Sequence, residues 1–133
     1  MSLNHVVWID RGWQPVAIGF CPSKKAWKRA ARQNKIVSKW PDLGASDGHT
    51  EWLRNDAGEG IILVAIDANA EQDALSVIVT LVHEAVHVWQ FICQHIGEDA
   101  PGIEMEAYGI AAISRGLVEA YCRTLGKDKN WPV

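Results

Sequence analysis

Apolar positions along this chain follow two spacings, and each predicts a different kind of element. Ile61-Ile62-Leu63-Val64-Ala65-Ile66 is an unbroken apolar run of strand length, which predicts a strand buried on both faces. His49 to Arg54 precedes it across the turn-rich Asn55-Asp56-Ala57-Gly58-Glu59-Gly60, so His49 to Arg54 and Ile61 to Asp67 read as a strand pair. His5 to Phe20 reads as two short strands around Asp10-Arg11-Gly12, with Pro15 pushing the second toward an edge position. Pro22-Ser23 opens a helix that runs to about Asn34, with Ser23 as its N-cap. Pro41 to Gly48 is a loop, and Asp67 to Asp73 leads into the next helix.

The second half changes to helical spacing. Within Ser76 to Gln94, apolar residues recur at Ile78, Leu81, Val82, Ala85, Val88, Trp89 and Ile92, and this period favours helix despite the β-branched Val and Ile. Gly97 offers a stop, and Gly97 to Gly102 is a short turn-rich connection. A further helix follows over roughly Ile103 to Leu125, spaced by Ile103, Ala107, Ile110, Leu117 and Tyr121. A short loop makes the two helices antiparallel neighbours. The sum is an α+β domain: a small, mostly antiparallel sheet packed with three helices.

One stretch on the first of these long helices carries chemistry. His83-Glu84-Ala85-Val86-His87 puts two imidazoles four residues apart, on one face and about one turn from each other. That spacing lets both ring nitrogens reach one metal ion at roughly 2.0–2.1 Å. Glu84 is not a ligand in this pattern. It is placed to hold and deprotonate a metal-bound water. A catalytic zinc usually takes three protein ligands and keeps a fourth position open. The next helix opens with Glu104 and Glu106, which lie about 200° apart on a helical wheel, so only one of them faces such a metal. Acids in a first turn also favour the positive end of a helix, which accounts for one of the two without any metal.

Over roughly Ile61 to Tyr121 the chain resembles a short gluzincin-type zinc metallopeptidase, with H-E-x-x-H on one helix and a glutamate on the next. Its general style is similar to small metallopeptidase-like domains of bacterial and phage genomes. Glu104-Met105-Glu106-Ala107 matches the E-x-x-A pattern of that class with Glu104 leading, and the uncharged flanks Thr80-Leu81-Val82 and Val88-Trp89 are similar to those around such motifs. The resemblance implies a zincin-like fold with H-E-x-x-H on the second helix and a metallopeptidase-like domain over 1–133. It also implies Zn²⁺ held by His83, His87 and Glu104, with Glu84 as catalytic base, and Glu106 in reserve as third ligand. Many relatives carry Asp or Asn four residues after the third ligand, where it orients a ligating histidine. Tyr108 stands there instead. Tyr108 and Glu106 are therefore the residues read as surroundings of the metal or contacts to substrate. The activity implied is hydrolysis of a peptide or protein substrate. The rival reading is a non-catalytic module of the same fold that binds a protein or a nucleic acid.

Composition narrows the setting. At 133 residues the chain suits a single hydrophobic core. The apolar run near Leu75 to Val82 contains Ser and Thr and reads as too short for a bilayer, and the Met1-Ser2-Leu3-Asn4-His5 start lacks a secretory pattern. Cys21, Cys93 and Cys122 are an odd, widely spaced set without C-x-x-C, which favours neither a disulfide framework nor a thiolate zinc site. A cytoplasmic protein without a membrane partner is the expectation. The net charge of −3 draws no nucleic acid. Lys24, Lys25, Lys28, Arg29, Arg32 and Lys35 nevertheless cluster on one helix, a hint of an anionic partner. The favoured reading of that cluster is the solvated face of an amphipathic helix whose Ala26, Trp27, Ala30 and Ala31 turn inward. His5, His49 and His95 stand outside any ligand pattern and read as structural, and Trp52 and Trp89 fall near the expected cleft.

Overall fold

The computed structural model describes residues 3–10, 12–44, 47–70 and 72–126. Within them the elements are β1 (Val7–Trp8), β2 (Ala17–Cys21), α1 (Lys24–Gln33), β3 (Gly48–Arg54), β4 (Gly60–Ile66), α2 (Ala74–Ile96) and α3 (Ile103–Leu125). The architecture is α+β, with three helices and one four-stranded sheet in the order β1-β2-β4-β3. Arg11 of the expected first turn, and Ala45 and Ser46 of the expected loop, lie outside the described residues.

The sheet is mixed, which corrects the expectation of a mostly antiparallel one. β1 runs antiparallel to β2 and β3 antiparallel to β4, but the central pair is parallel, from Ala17 opposite Ile61 to Cys21 opposite Ala65. Parallel neighbours need a long crossover, and α1 with β3 supplies it. β2 is consequently interior rather than at an edge. Pro15 lies before the first residue of β2, so its missing N–H removes no rung from the ladder. Among the described residues the edge strands are β1 and β3.

Two cores flank the sheet, divided by the alternation of side chains along β4. Ile62, Val64 and Ile66 join Ile18 and Phe20 against Leu81, Val88, Trp89 and Leu117 of α2 and α3. Ile61, Leu63 and Ala65 face the other way, against Ala26, Trp27 and Ala30 of α1. Every residue of Ile61–Ile66 is buried, as a strand covered on both faces requires. α2 is 23 residues long and, by length and composition, apolar enough to cross a membrane. The apolar pattern runs well past Val82, through Ile92 and Cys93, so the run near Leu75 to Val82 understates its length. Val77, Leu81, Ala85, Val88 and Ile92 of this helix are buried in the core.

Helix ends follow the expected chemistry. Ser23 Oγ accepts the Ala26 N–H at 3.2 Å and starts α1. Asp73 starts α2 by accepting the Ser76 N–H at 2.8 Å and the Ser76 hydroxyl at 2.9 Å. Those bonds, the backbone one first, hold the Asp73 carboxyl below its ordinary pKa. A depressed folded-state pKa contributes stability above the ordinary carboxylate range and loses it as pH falls through the folded value. Asp73→Ala is therefore expected to lower the thermal midpoint at neutral pH, with the deficit shrinking in strong acid, as read by circular dichroism melts. An equal deficit at both pH values would remove the charged cap from this account. Gly97 closes α2 with φ +73°, a left-handed conformation that glycine adopts without strain.

Candidate metal centre

α2 carries a core stripe of Leu81, Ala85, Val88 and Ile92, and the remaining angular positions set the site. His83 is exposed and His87 half-buried, both turned away from that stripe. Their Nε2 atoms lie 3.2 Å apart, with ring centroids 4.9 Å apart. Two nitrogens on one tetrahedral zinc at roughly 2.0–2.1 Å are separated by about 3.3 Å. The observed separation suits that geometry. It equally suits an N–H···N hydrogen bond, so a proton or a cation between the two rings is what the arrangement calls for.

Gln90 Oε1 lies 2.9 Å from His87 Nδ1; the tautomer with its proton on Nδ1 donates to that amide oxygen and keeps the Nε2 lone pair for a cation. Tyr108, which stands in sequence where a relative would orient an imidazole, is 74% exposed, and the contact to His87 comes from within α2 itself. A glutamine three residues after the second histidine, close to the i,i+4 neighbourhood, is the signal that would have found it.

Glu84 occupies the flank of α2 that faces the edge strand. It is 4% exposed, and its Oε1 accepts the Thr50 hydroxyl at 2.8 Å. Gly48, two residues before Thr50 on the same face of β3, clears the space: a Cβ there would lie 2.9 Å from Glu84 Cγ, 3.0 Å from Thr80 Cγ2 and 3.1 Å from Glu84 Oε2. The same face of β3 carries Trp52, whose ring packs beside Phe91 and His95 of α2 and under the Arg54 guanidinium. His49 points to the opposite face, where it bonds Glu51 at 3.0 Å and packs near Trp27 of α1, so it is remote from Glu84. His5 lies 2.8 Å from Arg29 Nη1.

α3 does not complete the site as expected. Its buried positions Gly109, Ile113, Leu117 and Ala120 define the face that packs inward. Glu106, one turn before Gly109, shares that face, and its Oε2 accepts the Trp89 indole N–H at 3.1 Å. Both glutamates are exposed, and Glu104 lies about 160° from Glu106 by the shorter way round the helix. Among the described residues no three His, Cys, Asp or Glu side chains gather around one point. The structure thus joins His83 and His87, turns the neighbouring Glu84 toward β3, and brings neither Glu104 nor Glu106 to the histidine pair. Trp89, expected near a cleft, is buried beneath α3.

The cysteines offer no further ligands. Cys21 and Cys93 are buried and form no disulfide. Burial raises the Cys21 thiol pKa far above its ordinary value. Burial also raises that of Cys93, with smaller contributions from the Glu106 and Glu98 charges. A protonated thiol is a poor metal ligand and a poor nucleophile. A cavity of about 350 Å³ lies elsewhere, between the 7–14 segment and α3, bordered by Asp10, Arg115, Glu119 and Arg123. Comparison with protein-family models, curated proteins and solved structures finds no match to this chain.

Proposed function

We propose that this protein is a zinc-dependent hydrolase of zincin-like architecture that cleaves peptide bonds in the cytoplasm. One observation carries the reading: two Nε2 atoms 3.2 Å apart stand one residue from a carboxylate that is buried and held from the edge strand. A buried glutamate costs free energy unless it is bonded, and a merely structural helix has no need of one there. Zinc bound by the histidine pair supplies Lewis acidity and a water acidified toward neutral pH.

The protein's own groups then have separate tasks. Gln90 fixes the His87 tautomer. Thr50 holds Glu84 Oε1, which leaves Oε2 to accept a proton from water and deliver it to the leaving amine. Among the described residues β3 pairs only with β4, so its other edge can accept an extended peptide by strand addition.

Helix orientation supports Glu106 over Glu104 as the carboxylate that closes the coordination, since Glu106 is on the side of α3 that meets α2. Release of the Trp89 indole and a change of rotamer would accompany that role. Metal analysis of the purified chain tests both statements. The expected result is one zinc per chain, retained in Glu104→Ala, weakened in Glu106→Ala and lost in His83→Ala. A zinc-free parent would remove the metal reading. Retention in Glu106→Ala with loss in Glu104→Ala would return the third ligand to Glu104.

A further inference from the structure

We infer that the outer face of α1 is a docking surface for duplex nucleic acid, contacted through its phosphates. The charge of the chain is segregated. Between Pro22 and Pro41 stand Lys24, Lys25, Lys28, Arg29, Arg32, Lys35 and Lys39, with no acidic residue among them. The other six cations stand against all 16 acids, so the net −3 divides into +7 on this segment and −10 elsewhere.

The fold gathers five of these cations on one face. Lys24, Lys25, Lys28 and Arg32 are exposed, and with Arg29 they border one shallow groove. Among the described residues no carboxylate forms an ion pair with Lys24, Lys25, Lys28, Arg29 or Arg32. Arg29 is turned to the N-terminal segment, bonding the Asn4 carbonyl and His5. Lys24, Lys28 and Arg32 form an i,i+4 row, spaced about 6 Å per step from the helical rise. Such a row spans roughly 12 Å and meets about three phosphates of one strand.

The chemistry of the face selects the partner. An amphipathic helix that binds a membrane surface inserts its apolar side. Here that side is spent: Ala26, Trp27, Ala30 and Ala31 are buried against the sheet. Single-stranded nucleic acid is held chiefly by stacking on exposed rings, and Trp27, the aromatic residue of α1, is fully buried. Regularly spaced phosphates on a stiff duplex need neither insertion nor stacking. Because α1 covers the sheet face opposite α2, a duplex bound there leaves His83, Glu84 and His87 uncovered, and the inference is independent of whether zinc binds.

Fluorescence anisotropy with a labelled 24-base-pair DNA duplex tests it on the full chain. Binding is expected to weaken about 40-fold between roughly 50 and 200 mM salt, which corresponds to about three phosphates neutralised. Lys24→Glu/Lys28→Glu/Arg32→Glu is expected to lose at least about 100-fold, and the milder triple glutamine variant to fall between it and the parent. Unchanged circular dichroism would show that the exposed substitutions leave the fold in place, and His83→Ala should bind as the parent does. No binding at low salt, parent-like binding by the triple glutamate variant, or tighter binding of the single strand would each overturn the assignment. So would capture by phosphatidylserine vesicles in place of the duplex.

Discussion

Glu84→Gln is expected to keep zinc bound while hydrolysis of a fluorescently labelled casein falls by about 10²–10⁴-fold, the usual contribution of a positioned acid–base group. The amide has almost the shape of the carboxylate. Its oxygen can still accept the Thr50 hydroxyl bond that Oε1 accepts at 2.8 Å, so the side chain stays beneath β3. The other arm carries NH₂ where Oε2 sat beside Gly48, and that group donates where a base must accept. Neither imidazole is touched, so metal content should be that of the parent. His83→Ala or His87→Ala removes half of the nitrogen pair and is expected to lose both zinc and activity. Zinc stoichiometry by atomic emission, read beside casein cleavage, separates the two classes of variant. A glutamine variant that cleaves as fast as the parent would show that Glu84 moves no proton.

Local pattern carried most of the fold. The helical period placed one helix over Ile103–Leu125, and the α1 N-cap at Ser23 and the α2 stop at Gly97 are where turn chemistry put them. The continuous apolar run of β4 foretold burial on both faces. What local pattern does not contain is which strands become neighbours. Pro15 suggested an edge, but it precedes β2, and the β2–β4 pairing joins residues some forty positions apart. The site divides in the same way. His83, Glu84 and His87 belong to one helix, so their spacing alone sets their geometry. Thr50 and Gly48 reach Glu84 from a strand more than thirty residues away, and no feature near the motif announces them. A choice between Glu104 and Glu106 rests on the orientation of α3, which the sequence leaves open until the inward face is known. Gly109 reveals that face.

Gly109→Ala is expected to destabilise the protein by about 1–3 kcal/mol or more in chemical denaturation, although alanine is ordinarily the better helix residue by about 1 kcal/mol. A Cβ at this position would lie 2.3 Å from Trp89 Cζ3, 2.6 Å from Cε3 and 2.9 Å from Cη2. The indole has nowhere to go. It is 1% exposed, its N–H is anchored on Glu106, and the Trp13 ring meets it edge-on at 6.2 Å. α3 must therefore back away from α2, which opens packing on both sides of the new methyl. Shrinking the obstacle should relieve the clash, so Gly109→Ala is expected to cost less in a Trp89→Leu background than in the parent, a non-additivity proper to groups in direct contact. The displacement also reaches Glu106, one turn upstream, so zinc affinity should fall with Gly109→Ala under conditions where the protein remains folded. Equal costs in the two backgrounds would show that the methyl and the indole do not meet. A folded Gly109→Ala protein with parent-like zinc affinity would separate the α2–α3 contact from the metal site and count against Glu106 as a ligand.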